Sequence, residues 1–382
     1  MTSPAKPNVV IFCDHLLYPS ETFIRAQAYA LSDFEPVFAG TRRIAGLDLS
    51  EGQVHVISQG NVSGRFRELA FKLFGHAAPL LKQLSALKPA LVHAHYGPNG
   101  LRALPLARDL NVPIIVTFHG SDATITDLSH HRTTLGFRHY QAKKEKLRKS
   151  GDLFLAVSKF VRGKLLEQGF PEERVLVHYT GVDTKQFQPA STEGSPVILF
   201  VGRLEESKGA EFAIRASAEV QKQLPAAELV LVGDGSLRAD LEKLAKQSLR
   251  RYRFVGSRTA EEVREWMNRA SVVCVPSIRR RSGEEEGFGM VCAEAEAAAK
   301  PVVAFYSGGI PEVVRHASTG YVVPERDWRG MAGYILELLQ NPELRQQFGR
   351  TGRELVLRQF DLEQCTRQLE RVYATVIKLR RN

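Results

Sequence analysis

Cysteine is scarce in this 382-residue chain, which has only Cys13, Cys274, Cys292 and Cys365. They lie far apart and form no Cys-x-x-Cys pair. That pattern excludes a small disulfide scaffold, argues against a zinc cluster, and reads as reduced cytosolic thiols. No apolar run approaches the ~18 residues that a membrane span needs. The polar start Met1–Pro7 runs straight into the strand-like Val9-Val10-Ile11-Phe12, so no signal-peptide core is read there. The Asn61-Val62-Ser63 sequon is accordingly read as unused. There is no Asp-x-Asp, no repeat of solenoid period, no zinc-finger spacing and no aromatic RNA-binding signature. Solenoid folds and nucleic-acid binding therefore lose support.

What remains is an ordinary globular composition, 43% apolar and 25% charged, at a length that suggests two to three domains. The net charge of +10 comes from 52 Lys and Arg against 42 Asp and Glu, with +7 of it in residues 1–190. One stretch concentrates it: Arg138, Lys143, Lys144, Lys146, Arg148 and Lys149 surround the single acid Glu145. Such a face draws phosphates or anionic lipid, or is a plain solvated helix face. Residues 65–74 mix aromatic and basic side chains at near-helical spacing, which fits contact with an inner-leaflet surface or packing on a domain.

Short apolar runs alternate with amphipathic stretches. Strands are predicted over residues 9–13, 91–95, 114–118, 153–157, 197–201, 228–232, 271–275 and 301–304, and helices over 23–31, 80–87, 208–223 and 260–268. Several of the strands are continuously apolar, as expected when both faces of a parallel sheet are buried. The alternation runs twice, on either side of the turn-rich stretch 180–196. The expectation is an α/β protein with two Rossmann-like, doubly wound parallel-sheet domains facing a cleft. Its boundaries are residues 1–185, 186–360 and a final helix, 361–382, crossing back. In such folds ligands bind beyond the carboxyl ends of the strands.

Residues just after strands are therefore the suspects. Gly202-Arg203-Leu204-Glu205-Glu206-Ser207-Lys208-Gly209 puts two cations beside a helix start, a fit for diphosphate. Glu286-Gly287-Phe288-Gly289-Met290, with Glu294 eight residues after Glu286, leads into an alanine-rich helix expected to start near Phe288. Free N–H groups in its first turn can hold phosphate oxygens, and a carboxylate can accept both hydrogens of a sugar diol. His119-Gly120-Ser121-Asp122 places a histidine at a strand end, with Asp122 expected to orient it. His93 and His95 share one strand face, where packing is the default, and His130 and His131 carry a weaker signal. At the first strand's exit, Ser20 and Thr22 are possible caps around Glu21. Tyr306-Ser307-Gly308-Gly309-Ile310-Pro311-Glu312 forms a backbone-rich turn.

Taken together, the Gly202–Gly209, Glu286–Glu294, Gly308–Glu312, His119–Asp122 and Gly181-Val182-Asp183 strings resemble the retaining nucleotide-sugar glycosyltransferases of family 4. The resemblance covers most of the chain and is strongest over residues 197–324. It implies the GT-B fold, with the acceptor mainly on the first domain and the donor mainly on the second. By the same resemblance, Arg203 and Lys208 would hold the donor diphosphate. Glu294 would bind ribose, Glu286 would contact the transferred sugar, and His119 would sit against that sugar. Gly202 would give a tight exit from the strand, and Phe288, Gly289 and Met290 would offer backbone amides. No metal and no bound cofactor is implied; the co-substrate would be a UDP- or GDP-sugar. The acceptor would be a saccharide or a polyprenyl-diphosphate-linked saccharide, with the protein cytoplasmic and in contact with an anionic membrane surface.

Many family members carry a Gly-Gly loop after the first strand. Here the loop reads Tyr18-Pro19-Ser20-Glu21-Thr22-Phe23, where the Ser20 and Thr22 hydroxyls or nearby amides would stand in, and Asp122 joins the same phosphate or acceptor loop. With His93-Ala94-His95-Tyr96-Gly97-Pro98-Asn99-Gly100, this variant resembles the bacterial exopolysaccharide branch of colanic-acid and amylovoran type. Base recognition would fall to loops near residues 254–257. A GT-B sugar-nucleotide epimerase would bind the same donor but fits the Glu286/Glu294 string less well. An NAD oxidoreductase would need a fingerprint, but Gly233-Asp234-Gly235-Ser236-Leu237-Arg238 has Arg where the third Gly belongs. A non-catalytic anion- or membrane-binding protein would explain the basic surface but not the strand-end motifs.

Overall fold

The computed structural model describes residues 5–58, 62–74, 78–125, 135–190 and 196–381. Asn61, His130, His131 and residues 191–195 of the turn-rich stretch lie outside the described residues. The chain forms two compact units. The first takes the described parts of Met1–Ala123, Leu128–Gly181 and Leu362–Asn382; the second takes those of Thr124–Asp127 and Val182–Asp361.

The first unit is built on β1 (Asn8–Phe12), β2 (His15–Leu16), β3 (Glu35–Arg43), β4 (Val54–Ser58), β5 (Leu91–His95), β6 (Ile114–Phe118), β7 (Leu153–Ala156) and β8 (Val175–Val177). All the ladders are parallel. β1 lies between β3 and β5, followed outward by β6, β7 and β8, and β4 also pairs with β3. β2 continues the β1 pairing in the same register, with Phe12 opposite Ala39 and His15 opposite Arg42. The second unit has β9 (Val197–Val201), β10 (Glu228–Val232), β11 (Tyr252–Gly256), β12 (Val272–Val275), β13 (Val302–Phe305) and β14 (Gly320–Val323). Their order is β11-β10-β9-β12-β13-β14. The order reverses beside the first strand of each unit, between β1 and β5 and between β9 and β12. Those are the points where a doubly wound sheet opens a crevice at its carboxyl edge.

The central strands are apolar throughout because helices cover both faces. Val272, Val273 and Cys274 are fully buried, as are Ile115 and Val116. Helix Ala210–Gln223 buries Phe212, Ala213, Ile214, Ala216 and Val220. Helix starts follow local chemistry. Ser158 Oγ accepts the Val161 N–H at the head of helix Lys159–Glu167, and Thr259 and Glu262 form a reciprocal capping box on helix Ala260–Arg269.

Two expectations shift. The alanine-rich helix runs from Met290 to Ala297 rather than from Phe288, because Gly289 has φ +93° and cannot be its first turn. Residues 254–256, expected as loop, form the end of β11. Strands β2, β3, β4, β8, β11 and β14 have no counterpart among the predicted segments. β3 carries Pro36, Gly40 and two terminal arginines, which hide it, and β11 is mostly half-buried.

The last helix, Leu362–Arg381, belongs to the first unit and buries Leu369, Tyr373 and Val376. Buried Glu370 accepts the backbone N–H groups of Ser32 and Asp33 at 2.7 and 2.6 Å and the Ser32 hydroxyl at 2.9 Å. Among the described residues, no helix is long and apolar enough to cross a membrane.

Replacing Glu370 with Ala removes the acceptor of two backbone amides, those of Ser32 and Asp33. The expected loss is about 2 kcal/mol of stability, read as a lower urea midpoint with an unchanged slope.

Candidate active site

In the second unit, the chain leaving β9 passes Gly202 and Arg203, makes a tight turn over Glu206–Lys208, and enters helix Ala210–Gln223 through Gly209 (φ +63°). Ser207 O accepts the Ile278 N–H at 2.9 Å, so the loops after β9 and β12 are tied together by backbone. Side chains repeat the tie. Lys208 Nζ lies 2.6 Å from Glu286 Oε2, which also accepts from Ser277 Oγ at 3.1 Å. Burial opposes the charge on Glu286, but the Lys208 ammonium, the bonds from Lys208 and Ser277, and Arg203 outweigh it and hold the carboxyl below its ordinary range. Arg203 is exposed and paired with Glu205 at 2.9 Å.

The Gly308-Gly309 turn supports Glu286 from below. Gly309 N–H donates to the Glu286 carbonyl at 2.9 Å, and a Cβ on Gly308 (φ +52°) would meet that same carbonyl. The Phe288 side chain is core, edge-on to Phe360 at 5.2 Å, so anything Phe288 offers a ligand comes from its backbone. Helix Met290–Ala297 has no side-chain cap and no acid in its first turn, leaving a positive end open to an anion. Further along that helix, Glu294 is half-buried and its carboxylate makes no hydrogen bond or ion pair among the described residues. Burial pushes it up to about 7. Glu296, two residues on, is fully buried and accepts from Thr319 Oγ1 at 2.5 Å, a structural role. Sequence reasoning gave no role to the hydroxyls of Ser207 and Ser307, which are buried without a hydrogen-bond partner among the described residues.

In the first unit, His119 follows β6. Its Nε2 lies 3.0 Å from Nδ1 of His95, and its ring packs on Tyr96 at 4.6 Å and Phe23 at 5.0 Å. Burial, with His93 adding to it, lowers His119 to about 3, so the imidazole is neutral. Asp122 does not orient that ring, contrary to expectation. Its carboxylate accepts the backbone N–H groups of His119 and Gly120, each at 3.0 Å, and of Gly97 at 2.9 Å. Burial lifts Asp122 to about 6 against the pull of those amides. It clamps the loop that carries His119 to the start of helix Gly97–Asp109.

Ser20 is exposed and Thr22 is the first residue of helix Thr22–Tyr29; neither caps it. Glu21 occupies the N-cap position, accepts the Tyr18 N–H at 2.8 Å and bonds the Tyr96 hydroxyl, and burial raises its pKa. Tyr96 itself has φ +72° and ψ +139°, a region almost reserved for glycine. Strain of that kind costs about 1–3 kcal/mol and gathers at functional sites. No sequence signal marks it. Glu21 and Tyr96 line an open pocket of about 230 Å³ with Asp14, Tyr18, Arg102 and Phe137. Arg102 is held by Asp14 at 3.4 Å and Asn99 at 3.3 Å. Polar groups beside aromatic faces suit a hydroxylated ring. Among the described residues, no group of three or more His, Cys, Asp or Glu is arranged to hold a metal ion.

Residues 182–355 match a family model described as glycosyl transferases group 1, and residues 26–186 match one described as glycosyltransferase family 4. The chain is 31% identical to an uncharacterized glycosyltransferase of Methanocaldococcus jannaschii over 74% of its own length and 74% of that protein's. It is also 31% identical to WcaL of Salmonella typhimurium, a glycosyltransferase named for colanic acid biosynthesis, over 74% of this chain and 70% of that one. Among solved structures, Anabaena HepE in complex with UDP and glucose is similar in fold, with a TM-score of 0.76 at 17% identity, covering 97% of this chain and 100% of that one.

Asp122→Asn replaces an acceptor with a donor facing N–H groups. It should lower stability by about 2–3 kcal/mol in chemical denaturation, whereas Ser121→Ala, on the neighbouring residue, should leave the midpoint within about 0.5 kcal/mol.

Proposed function

We propose, because the chain belongs to the family 4 glycosyltransferases of the GT-B fold, that it transfers a hexose from a UDP- or GDP-sugar to a saccharide or lipid-linked saccharide with retention of anomeric configuration. The observation that carries the reading is the second-unit crevice at the β9/β12 reversal. It brings together a cation pair, an uncapped helix start and an unpartnered carboxylate. Departure of a nucleoside diphosphate needs positive charge. Arg203, Lys208 and the head of helix Met290–Ala297 supply it from fixed positions, so little reorganisation is needed as the bond breaks. Glu294 accepts the two ribose hydroxyls. Glu286, held by Lys208 and Ser277, contacts the transferred sugar, and in the first unit His119 is read as a sugar contact. The acceptor hydroxyl attacks on the leaving-group face, and no covalent enzyme intermediate is required.

The first-unit pocket beside Tyr96 takes the acceptor. The WcaL relationship supports a role in bacterial surface polysaccharide synthesis, and the UDP and glucose bound by HepE support a nucleoside-diphosphate hexose. Helix Leu135–Ser150 exposes Arg138, Lys143 and Lys146. With exposed Phe66 it supports peripheral contact with the cytoplasmic face of an anionic membrane, where a lipid-linked acceptor would lie.

In a panel of UDP-, GDP- and ADP-hexoses, one nucleotide should raise the melting temperature whether or not EDTA is present. Lys208→Ala and Glu294→Ala should each weaken its binding by at least about tenfold. If the ionised Glu294 accepts the ribose hydroxyls, affinity should fall by up to about tenfold per pH unit below 7, and Glu294→Gln should remove that part of the slope. Stabilisation by no nucleotide sugar would overturn the reading. Co-sedimentation with anionic liposomes should be strong at low salt and weak at high salt; absence of binding at low salt would remove the membrane contact.

A further inference from the structure

We propose that His95 is a positioning residue for the transfer reaction, fixing the ring pose and tautomer of His119 so that Nδ1 is the ring nitrogen His119 offers to the sugar. The inference rests on the reading of His119 as a sugar contact.

The geometry is a stack of three buried or half-buried imidazoles. His93 and His95 are alternate residues of β5 and so share one face of the sheet, with ring centroids 4.4 Å apart. His95 and His119 stack at 5.2 Å with their planes 23° apart. His93 is pinned at both nitrogens, by the Tyr373 hydroxyl at 2.6 Å and by Thr117 Oγ1 at 2.7 Å. His93 therefore cannot tilt, and it backs the His95 ring. The His95 main chain is held as well, since its carbonyl accepts from Asn99 Nδ2 at 2.8 Å. The last member, His119, is touched at Nε2 by His95 Nδ1 and on its ring by Tyr96 and Phe23.

Protons complete the argument. Burial drives His93, His95 and His119 toward the neutral form. A bond between two neutral imidazoles carries one proton, so one nitrogen donates and the other accepts. The tautomer of His119 is thereby coupled to that of His95: Nδ1 of His119 carries the proton when His95 Nδ1 donates and is the bare acceptor when His95 Nδ1 accepts. A second imidazole is thus an orienting group here, the task that a carboxylate performs for many functional histidines. Asp122 cannot do it, because its oxygens are committed to three backbone amides.

The test uses the full-length protein with ¹⁵N-labelled histidine. In the wild type, His119 should show one protonated and one unprotonated ring nitrogen. His95→Phe keeps the stack and removes the Nδ1 partner. In that variant the two His119 signals should move toward an averaged mixture, and kcat for transfer should fall by up to about 100-fold with donor KM changed by less than about threefold. His95→Asn, which returns a polar atom near the Nδ1 position, should recover part of both effects. A melting temperature close to wild type separates positioning from unfolding. Unchanged His119 signals in folded His95→Phe would overturn the inference, whatever the activity. If instead His119→Ala retained full kcat, the sugar-contact reading would fall while the NMR result still decided how His119 is held.

Discussion

The ion pair between Lys208 and Glu286 is the interaction on which the second unit's crevice depends. Lys208 closes the loop leaving β9, and Glu286 lies in the loop leaving β12. The two strands are neighbours across the point where strand order reverses. Without a tie, two loops at a reversal would diverge. The tie is made twice by backbone and side chain, through the Ile278–Ser207 bond and through the 2.6 Å pair, and it is braced by the Gly309 amide beneath Glu286. Pairing of half-buried charges is worth more than pairing of exposed ones because water screens it less. Under the proposed function, a cation is thereby held in place before a diphosphate arrives, so its electrostatic effect needs no ordering at the moment of reaction.

The first unit solves the opposite problem. Its row of imidazoles is kept uncharged by burial, and its buried carboxylate, Asp122, is spent on backbone amides. A charged histidine there would face His93 and His95 in a dry environment and be strongly disfavoured. The helix that closes the chain contributes directly, because Tyr373 from Leu362–Arg381 supplies the hydrogen bond that pins His93. Packing of the last helix and pose of the histidine row are thus one structural problem, even though the residues involved are separated by 280 positions.

Much of the fold was legible because the central strands are continuous apolar runs; 114–118 and 197–201 were readable to the residue. β3 was not, since Pro36 and Gly40 mimic a loop, and only its pairing with β1 and β4 reveals it. At the site, residue types at strand ends were informative, but pairings were not. Nothing in the chain says that Lys208 meets a carboxylate 78 positions away, that Asp122 faces main chain rather than an imidazole, or that Tyr96 holds a backbone angle normally left to glycine. Glu294 and Glu296 make the point most sharply. They lie two positions apart on one helix, yet one is unpartnered and half-buried while the other is bonded to Thr319 in the core.

That contrast also explains why the helix can present Glu294 at all. An eight-residue helix, Met290–Ala297, has little stability of its own. It is fixed by what its inner face buries: Cys292, Ala293 and Ala295, and the carboxyl of Glu296, which burial lifts to about 8 and so keeps mainly protonated near neutrality. Gly352 leaves room for the Glu296 side chain, whose atoms would lie 3.0 Å from a Cβ at that position. With the inner face locked, residues two positions away point elsewhere by helical geometry. Two acids on one helix therefore divide the work. The neutral one sets the helix's rotation, and the one that titrates near pH 7 is left without a partner, open to a ligand.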